Sequence, residues 1–169
     1  MLSIGVVVAG TFDGSRFVRP SADEHWYAEL KPISLDFDPD ALAVSGLDRD
    51  RLLIEGRDCA EAMTDLAKWV SSIAGRRTPV LAAYPLSYDW TFLYWYFVRF
   101  STLGCPFKHS RCFDMKTAYA VKGRRTIGRS GRDRLPSELR SSLAHTHHAL
   151  DDAREQAEIF ARLFEWQPG

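Results

Sequence analysis

The residues best suited to chemistry lie near the C-terminus, in the segment His147-His148-Ala149-Leu150-Asp151-Asp152-Ala153. A neutral imidazole such as that of His147 can take a proton from water, and the carboxylate of Asp152, five residues later, can hold a divalent cation. If a helix begins near residue 149, Asp152 starts an otherwise core-facing stripe, where a carboxylate is costly unless it is paired or bound to metal. The alternative interpretation is that the two acids only favour the positive end of a helix dipole.

A second acid, Asp89, lies where a strand is predicted to pass into a helix. Residues 78–84 form a short apolar run with Pro79 near its start, which is typical of a buried strand. The apolar residues that follow recur at helical spacing, as Trp90, Leu93, Phe97 and Phe100. Asp89 therefore falls close to a helix N-terminus, and taken alone it is interpreted as a capping carboxylate.

Together, and in this order along the chain, the two motifs resemble the DEDD 3′–5′ exonuclease superfamily, in the subclass whose catalytic base is a histidine. The resemblance implies that Asp89 and Asp152 ligate metal and that His147 deprotonates the attacking water. It also implies Mg²⁺ or Mn²⁺ as cofactor, with two ions in the complete family site, and the 3′ end of single-stranded RNA or DNA as substrate. His148 and His145 are rivals for the role of the base, although the motif's spacing favours His147.

Two further segments carry the resemblance across nearly the whole chain. Cys112-Phe113-Asp114-Met115-Lys116-Thr117 resembles the strand and helix start that separate the family's middle and last acids. Val44-Ser45-Gly46-Leu47 resembles the small loop that packs against the substrate's terminal nucleotide. Ser45 and Tyr84 are weaker candidates for contacting that nucleotide, and packing is the alternative interpretation of both.

The family's opening strand has no counterpart in this sequence. That strand carries an Asp-x-Glu pair whose carboxylates ligate both metal ions, and no such pair precedes the apolar run of residues 3–8, which resembles the family's second strand. The nearest acid is Asp13, and Asp13-Gly14 between two β-like runs predicts an exposed hairpin turn. Either the chain starts late, at an internal Met, or the first strand has been lost. With fewer metal ligands, we expect impaired nuclease activity.

Basic residues are concentrated between the two acidic motifs. From Arg99 to Arg134 there are ten Lys and Arg residues against two acids, although the whole chain has a formal net charge of zero. Such a local excess favours binding of a polyanion, and the alternative is a solvated loop that happens to be basic. On the first interpretation, the backbone phosphates would be held by Arg124, Arg125, Arg129 and Arg132.

Length and composition indicate one globular domain over residues 1–169, with 46% hydrophobic and 26% charged residues. Apolar runs are too short for a membrane helix and the N-terminus lacks the features of a signal peptide, so a cytoplasmic location is expected. The three cysteines lack C-x-x-C spacing, which argues against a cysteine zinc site or a disulfide framework.

The pattern of elements predicts an α/β fold, with strands first and then alternating helices and strands. The predicted strands are 2–9, 15–19, 25–33, 79–84 and 111–114, and the predicted helices are 39–46, 58–74, 89–101, 115–122, 137–142 and 148–165. Residues 123–136 are predicted to form an irregular, mobile loop. The resemblance implies a ribonuclease H-like mixed sheet flanked by helices and lacking its first strand. An unpaired edge on the opening strand would favour a homodimer or aggregation.

Two functions follow from these observations. The first is a metal-dependent 3′–5′ exonuclease that hydrolyses phosphodiester bonds by a two-metal mechanism and is impaired by the missing acid pair. The second is a noncatalytic relative that keeps the fold and binds nucleic acid or a protein partner. An in-frame Asp-x-Glu strand upstream of Met1 would discriminate between them, because it would restore the missing ligands.

Overall fold

The chain folds into a mixed α/β arrangement in which short strands pack against longer helices. The computed structural model describes residues 1–168. The strands are β1 (Ser3–Val7), β2 (Thr11–Phe12), β3 (Phe17–Val18), β4 (His25–Glu29), β5 (Leu81–Ala83) and β6 (Cys112–Asp114). The helices are α1 (Pro39–Ser45), α2 (Arg49–Glu55), α3 (Cys59–Ala74), α4 (Leu86–Phe100), α5 (Met115–Lys122) and α6 (Ala149–Glu165). Within residues 1–168, no helix combines the length and apolar character needed to cross a bilayer.

The strands form three separate two-stranded sheets. β1 pairs antiparallel with β4, and β5 pairs parallel with β6. β2 and β3 form a small hairpin, so the predicted strand at 15–19 is shorter than expected and pairs only with its neighbour. Asp13 lies at the exposed tip, as predicted, where its carboxylate accepts hydrogen bonds from the backbone N–H groups of Ser15 and Arg16.

The helix boundaries follow local capping signals. Asp38 and Asp58 cap α1 and α3 by accepting hydrogen bonds from backbone N–H groups in the first turn. Gly46 ends α1 in the left-handed region, with φ of 65°. α2 was not predicted, because its seven residues bury only Leu52 and give no clear apolar stripe.

The core consists of two apolar clusters on either side of the strands. The larger cluster lies between α3, α4 and the β1–β4 pair and includes Ile4, Trp26, Leu66, Tyr96 and Phe97. The smaller cluster lies under α6 and α5 and includes Tyr84, Met115, Tyr119, Leu135 and Ile159. Helix α6 packs directly on β1, since a Cβ atom built on Gly5 would overlap the carbonyl oxygen of Ala149. The start of α6 is therefore set by backbone contact with β1.

The predicted mobile loop at 123–136 is instead built from short 3₁₀ turns with buried anchors. Turns span Ile127–Arg129, Arg132–Arg134 and Ser137–Leu139, so the helix predicted at 137–142 is reduced to a single turn. The Tyr84 hydroxyl donates to the Ser130 carbonyl at 2.7 Å, and the Tyr119 hydroxyl donates to the Arg134 carbonyl at 3.1 Å. The first bond satisfies the buried carbonyl of Ser130, and the two bonds tie the segment to β5 and α5.

Candidate active site

A cavity of about 1760 Å³ separates the β1–β4 sheet from the β5–β6 sheet. One wall is β1 and the residues around it, and the opposite wall includes residues 78–83. Asp89, His147 and Asp152 all line this cavity, so the structure brings the three predicted site residues to one space. Much of the remaining lining is apolar, from β1, α4 and α6.

His147 lies immediately before α6 in an unusual backbone conformation. Its φ is 61°, in the left-handed region that residues with a Cβ rarely adopt. Its side chain is exposed and lines the cavity, and its ring centroid lies 4.3 Å from that of His145. A positive φ at a non-glycine residue is often found at functional sites, because the surrounding structure must impose it.

Asp152 lies in the first turn of α6 and is largely shielded from solvent. Its Oδ1 atom is 2.8 Å from Nδ1 of His145, with the Asp152 side chain 22% exposed. The hydrogen bond of His145 Nδ1 is made to Glu155 Oε2, at 3.0 Å, and not to Asp152. Because that N–H points to Glu155, Asp152 Oδ1 is buried without a hydrogen-bond donor among the described residues.

Asp89 lies in the first turn of α4, which follows shortly after the end of β5. Burial raises the pKa of its carboxyl group, and the positive charge of Arg132 opposes this rise only in part. Pro85 takes the capping position of α4, and the first free N–H of the helix, that of Leu86, donates to Asp114 at 2.7 Å. Asp89 is therefore not the capping residue that its position alone suggested.

His148, the first rival for the catalytic base, is directed away from the cavity. Its ring centroid lies 4.7 Å from that of Tyr27 on β4, and Nδ1 lies 3.6 Å from Asp151 Oδ2. His145, the second rival, contacts Asp152 and Glu155 through Nδ1 and meets Arg132 Nη2 at 2.9 Å through Nε2. Of the three imidazoles, only that of His147 lines the cavity.

The four candidate phosphate-binding arginines divide into two groups. Three of them are exposed in the segment that follows α5, namely Arg124, Arg125 and Arg129. Arg132 turns inward instead, where Nη1 lies 3.2 Å from Glu155 Oε2. Its guanidinium group therefore neutralises an acid beside the site and is not free for a backbone phosphate in this arrangement.

The two candidates for contacting the terminal nucleotide also differ. Ser45 lines the cavity, and its hydroxyl donates to the Leu42 carbonyl at 2.9 Å at the end of α1. Tyr84 is buried in the smaller core cluster, where its hydroxyl is engaged by Ser130. Ser45 is thus within reach of a ligand in the cavity, whereas Tyr84 has a packing role.

Glu155 is a site residue that sequence reasoning missed. Only 12% of its side chain is exposed, and it contacts both Arg132 and His145. The available signal was its spacing, since a residue three positions after Asp152 lies on a neighbouring part of the same helix face. Asp114 and Asp151 do not join this cluster: Asp114 accepts from the N–H groups of Leu86 and Thr117, and Asp151 contacts Arg154.

Three side chains are arranged so that they could share one cation. One potential ligand atom from each of His145, His147 and Asp152 lies within 4.8 Å of the other two. Asp89 does not belong to this group, although it lines the same cavity. The site thus combines a two-histidine, one-carboxylate group with a separate acid.

Comparisons with known proteins match most of the chain. The sequence model of the 3'-5' exoribonuclease Rv2179c-like domain matches residues 48–164. The chain is also 32% identical over 161 residues to the 3'-5' DNA exonuclease Cap18 of Escherichia coli. The aligned segment covers 95% of this chain and 80% of that protein. The matched range of the family includes Asp89, His147 and Asp152.

Proposed function

Because the chain belongs to the Rv2179c-like 3'-5' exoribonuclease family, we propose that it is a metal-dependent 3′–5′ exonuclease. Its substrate would be the 3′ end of single-stranded RNA or DNA, since the family is named for RNA and the similar Cap18 for DNA. The observation that carries the proposal is the convergence of Asp89, His147 and Asp152 on one cavity.

The acids of the cavity fit Mg²⁺ or Mn²⁺. Asp152 Oδ1 is buried without a hydrogen-bond donor, and a bound cation would compensate its lost hydration. Asp89 would contribute the second carboxylate from the opposite element, α4. Two such ions, when bound, activate water and stabilise the leaving 3′ oxygen.

His147 is the candidate base. An imidazole can accept the proton of a water molecule near neutral pH, and the ring of His147 is exposed on the cavity wall. The left-handed backbone at His147 turns this ring to the cavity while His148 packs on Tyr27. The exposed arginines 124, 125 and 129 would hold phosphates of the strand that leads to the site.

We propose that a further strand could pair with the free edge of β1, as in a ribonuclease H-like fold that has lost its first strand. Just beyond the two ends of β1, the Leu30 N–H donates to the Leu2 carbonyl and the Val8 N–H donates to the Glu24 carbonyl. Because bonding alternates along an antiparallel strand, the N–H and C=O groups of Ser3, Gly5 and Val7 point to the other edge, which borders the cavity. A strand inserted there could join β1 to β5 and unite the two sheets.

Such a strand would also complete the set of acids. Asp89 and Asp152 alone give too few carboxylates for two ions, so we expect this chain to have little or no nuclease activity as it stands. A strand bearing Asp-x-Glu would present both carboxylates on one face, because side chains two residues apart point the same way.

The test is a designed strand with Asp-x-Glu, fused to Met1 through a short linker and compared with the unfused chain. Labelled single-stranded RNA and DNA oligonucleotides are incubated with Mn²⁺, and products are resolved by length. We expect the fusion to degrade one or both from the 3′ end, at least about 100-fold faster than the unfused chain. EDTA and the substitution Asp152→Asn should each abolish the gain.

The matched control is the same fusion with Asn-x-Gln, which fills the space without supplying carboxylates. Equal activity of both fusions would contradict the proposed role of the acids. Strong, EDTA-sensitive degradation by the unfused chain would show that its own residues complete the site. The prediction of impaired activity would then be wrong.

A further inference from the structure

The His145, His147 and Asp152 group has a donor set that differs from that of a Mg²⁺ site. It offers two imidazole nitrogens and one carboxylate oxygen, all within 4.8 Å of one another. Mg²⁺ prefers oxygen ligands and retains water, whereas imidazole nitrogen suits Zn²⁺, Co²⁺, Ni²⁺ and Cu²⁺. Nitrogen and oxygen atoms about 2.0–2.2 Å from one Zn²⁺ ion lie within about 4.4 Å of each other, so small side-chain rotations would suffice.

An unpartnered atom points into this group. Asp152 Oδ1 is buried and receives no hydrogen bond from any residue that the structure describes, although Nδ1 of His145 is only 2.8 Å away. Because the Nδ1 proton is directed to Glu155, this buried carboxylate oxygen lacks a compensating donor, and a bound cation would supply the missing positive charge. The strained backbone of His147, with φ of 61°, is a second feature that holds a donor in the group.

Glu155 gives His145 the orientation of a metal ligand. Nδ1 of His145 hydrogen-bonds Glu155 Oε2 at 3.0 Å, as metal-bound histidines commonly do with a carboxylate behind them. With the proton on Nδ1, Nε2 keeps its lone pair, and it now faces Arg132 Nη2 at 2.9 Å. The guanidinium group of Arg132 therefore lies beside Nε2 of His145, at the place where a bound cation would lie.

We propose that His145, His147 and Asp152 bind a single transition-metal ion of the Zn²⁺ type, with Glu155 as the outer partner of His145. Binding of this ion uses the lone pair of His147, so it prevents His147 from accepting a proton. The ion thus inhibits the proposed nuclease, yet its binding does not depend on nuclease activity and can be measured without it.

Co²⁺ is the probe, because its visible absorption reports nitrogen coordination directly. The metal-free full chain is titrated with Co²⁺, and Zn²⁺ is then added in competition. We expect one equivalent of Co²⁺ to bind, Zn²⁺ to displace it, and millimolar Mg²⁺ to leave it in place. His145→Ala and His147→Ala should each weaken Co²⁺ binding at least about 10–100-fold, and Glu155→Gln about 10-fold.

His148→Ala is the matched control, since it removes an imidazole from the same segment that faces Tyr27 instead. Thermal unfolding of each variant without metal shows whether it is folded. Absence of nitrogen-type Co²⁺ absorption, or equal weakening by His148→Ala and His145→Ala, would overturn the proposal. Asp89→Asn separates the two sites: it should abolish activity of the strand-fused enzyme and leave Co²⁺ affinity unchanged.

Discussion

Burial affects the acids of the cavity in different ways. Asp89 is partly withdrawn from solvent and its pKa is raised, whereas Oδ1 of Asp152 lies 2.8 Å from Nδ1 of His145 but receives no hydrogen bond within residues 1–168. A carboxyl group with a raised pKa binds its proton more tightly when the protein is folded. Ionisation of Asp89 therefore destabilises the fold as the pH rises through its raised pKa, and a bound cation would reverse this effect.

The first prediction concerns the pH dependence of Mn²⁺ binding. Protons compete with the metal for Asp89, so Mn²⁺ affinity should increase as the pH rises through the raised pKa of this carboxyl group. Asp89→Asn should weaken Mn²⁺ binding and remove this part of the pH dependence, and at neutral pH it should raise the melting temperature of the metal-free chain. Calorimetric titration at several pH values measures the affinity. A pH profile that Asp89→Asn leaves unchanged would contradict the assignment.

Sequence spacing was sufficient for some residues of the site and not for others. His147, Asp152 and Asp89 were found because their helix and strand contexts can be read locally, and all three line the cavity. The contacts of Arg132 with Glu155 and His145 depend on how residues 123–148 fold back over α6. Part of that path is held by the buried hydroxyl of Tyr84, which comes from the end of β5 and which no local pattern reveals.

Among the elements, α6 has the most connections to the site. Its N-terminal end carries Asp152, and its first residues lie directly on the backbone of β1 at Gly5. Glu158, two turns further, accepts hydrogen bonds from Ser141 and from the backbone N–H of Ser142. The helix thus fixes both the strand below it and the segment that leads to the histidines.

The second prediction tests the contact between α6 and β1. In Gly5→Ala the new methyl group would meet backbone atoms of Ala149 and Leu150, which can only move as a unit. We expect the free energy of unfolding to fall by about 1–3 kcal/mol, as for other overpacked sites, and Co²⁺ affinity to fall with it. Gly128→Ala is the control, because among residues 1–168 no other atom lies within 4 Å of the added Cβ. Equal denaturant midpoints for the two variants would refute the close contact.

The third prediction concerns acid stability. Burial tends to raise the pKa of Glu158, but hydrogen bonds from Ser141 and Arg162 outweigh it and lower the pKa to about 2. The stabilisation is present above the ordinary value of 4.5 and is lost as the pH falls from there towards 2, and it amounts to at most about 3 kcal/mol. Glu158→Gln should reduce stability at neutral pH and flatten the pH dependence in this window.

The control for this prediction is Glu138→Gln, which alters an exposed carboxylate in the segment that Glu158 anchors. Urea unfolding between pH 2 and pH 7 measures both variants. Similar acid sensitivity of Glu158→Gln and the unchanged chain would show that the hydrogen bonds to Glu158 contribute little to folding.

Most elements of the fold could be predicted from the sequence, but their assembly could not. Capping acids and apolar spacing marked α3, α5 and α6 nearly at their observed bounds. The expected long strands at 2–9 and 25–33 are shorter, and their regular pairing covers Ser3–Val7 and His25–Glu29. The separation of the sheets depends on which edges find partners, and that is decided by the whole chain.

At the scale of the whole molecule, the two sheets are joined by helices and not by strand pairing. β1 and β5 each pair on one edge only within the described chain, and the cavity lies between their free edges. An exposed apolar edge is a site for further pairing, either with an added strand or with another copy.

The fourth prediction follows from the alternation of hydrogen bonds along β1. The N–H groups of Ile4 and Val6 bond to β4, whereas those of Gly5 and Val7 face the cavity. In this chain, amide hydrogen exchange resolved by NMR should be faster at Gly5 and Val7 than at Ile4 and Val6. Fusion of the designed strand should slow exchange at Gly5 and Val7 only. Uniform protection along β1 before fusion would mean that its edge already has a partner.

The cavity between the sheets has a thermodynamic consequence, because its wall includes both the free edge of β1 and the side chains of His147 and Asp152. Anything that pairs with the edge therefore changes the surroundings of any cation at these side chains. Linkage requires the effect to be reciprocal: if an inserted strand increases cation affinity by some factor, the cation increases the affinity for the strand by the same factor. The divalent ion would then act as an assembly factor for the sheet, and chelation would loosen the strand as well as stop hydrolysis.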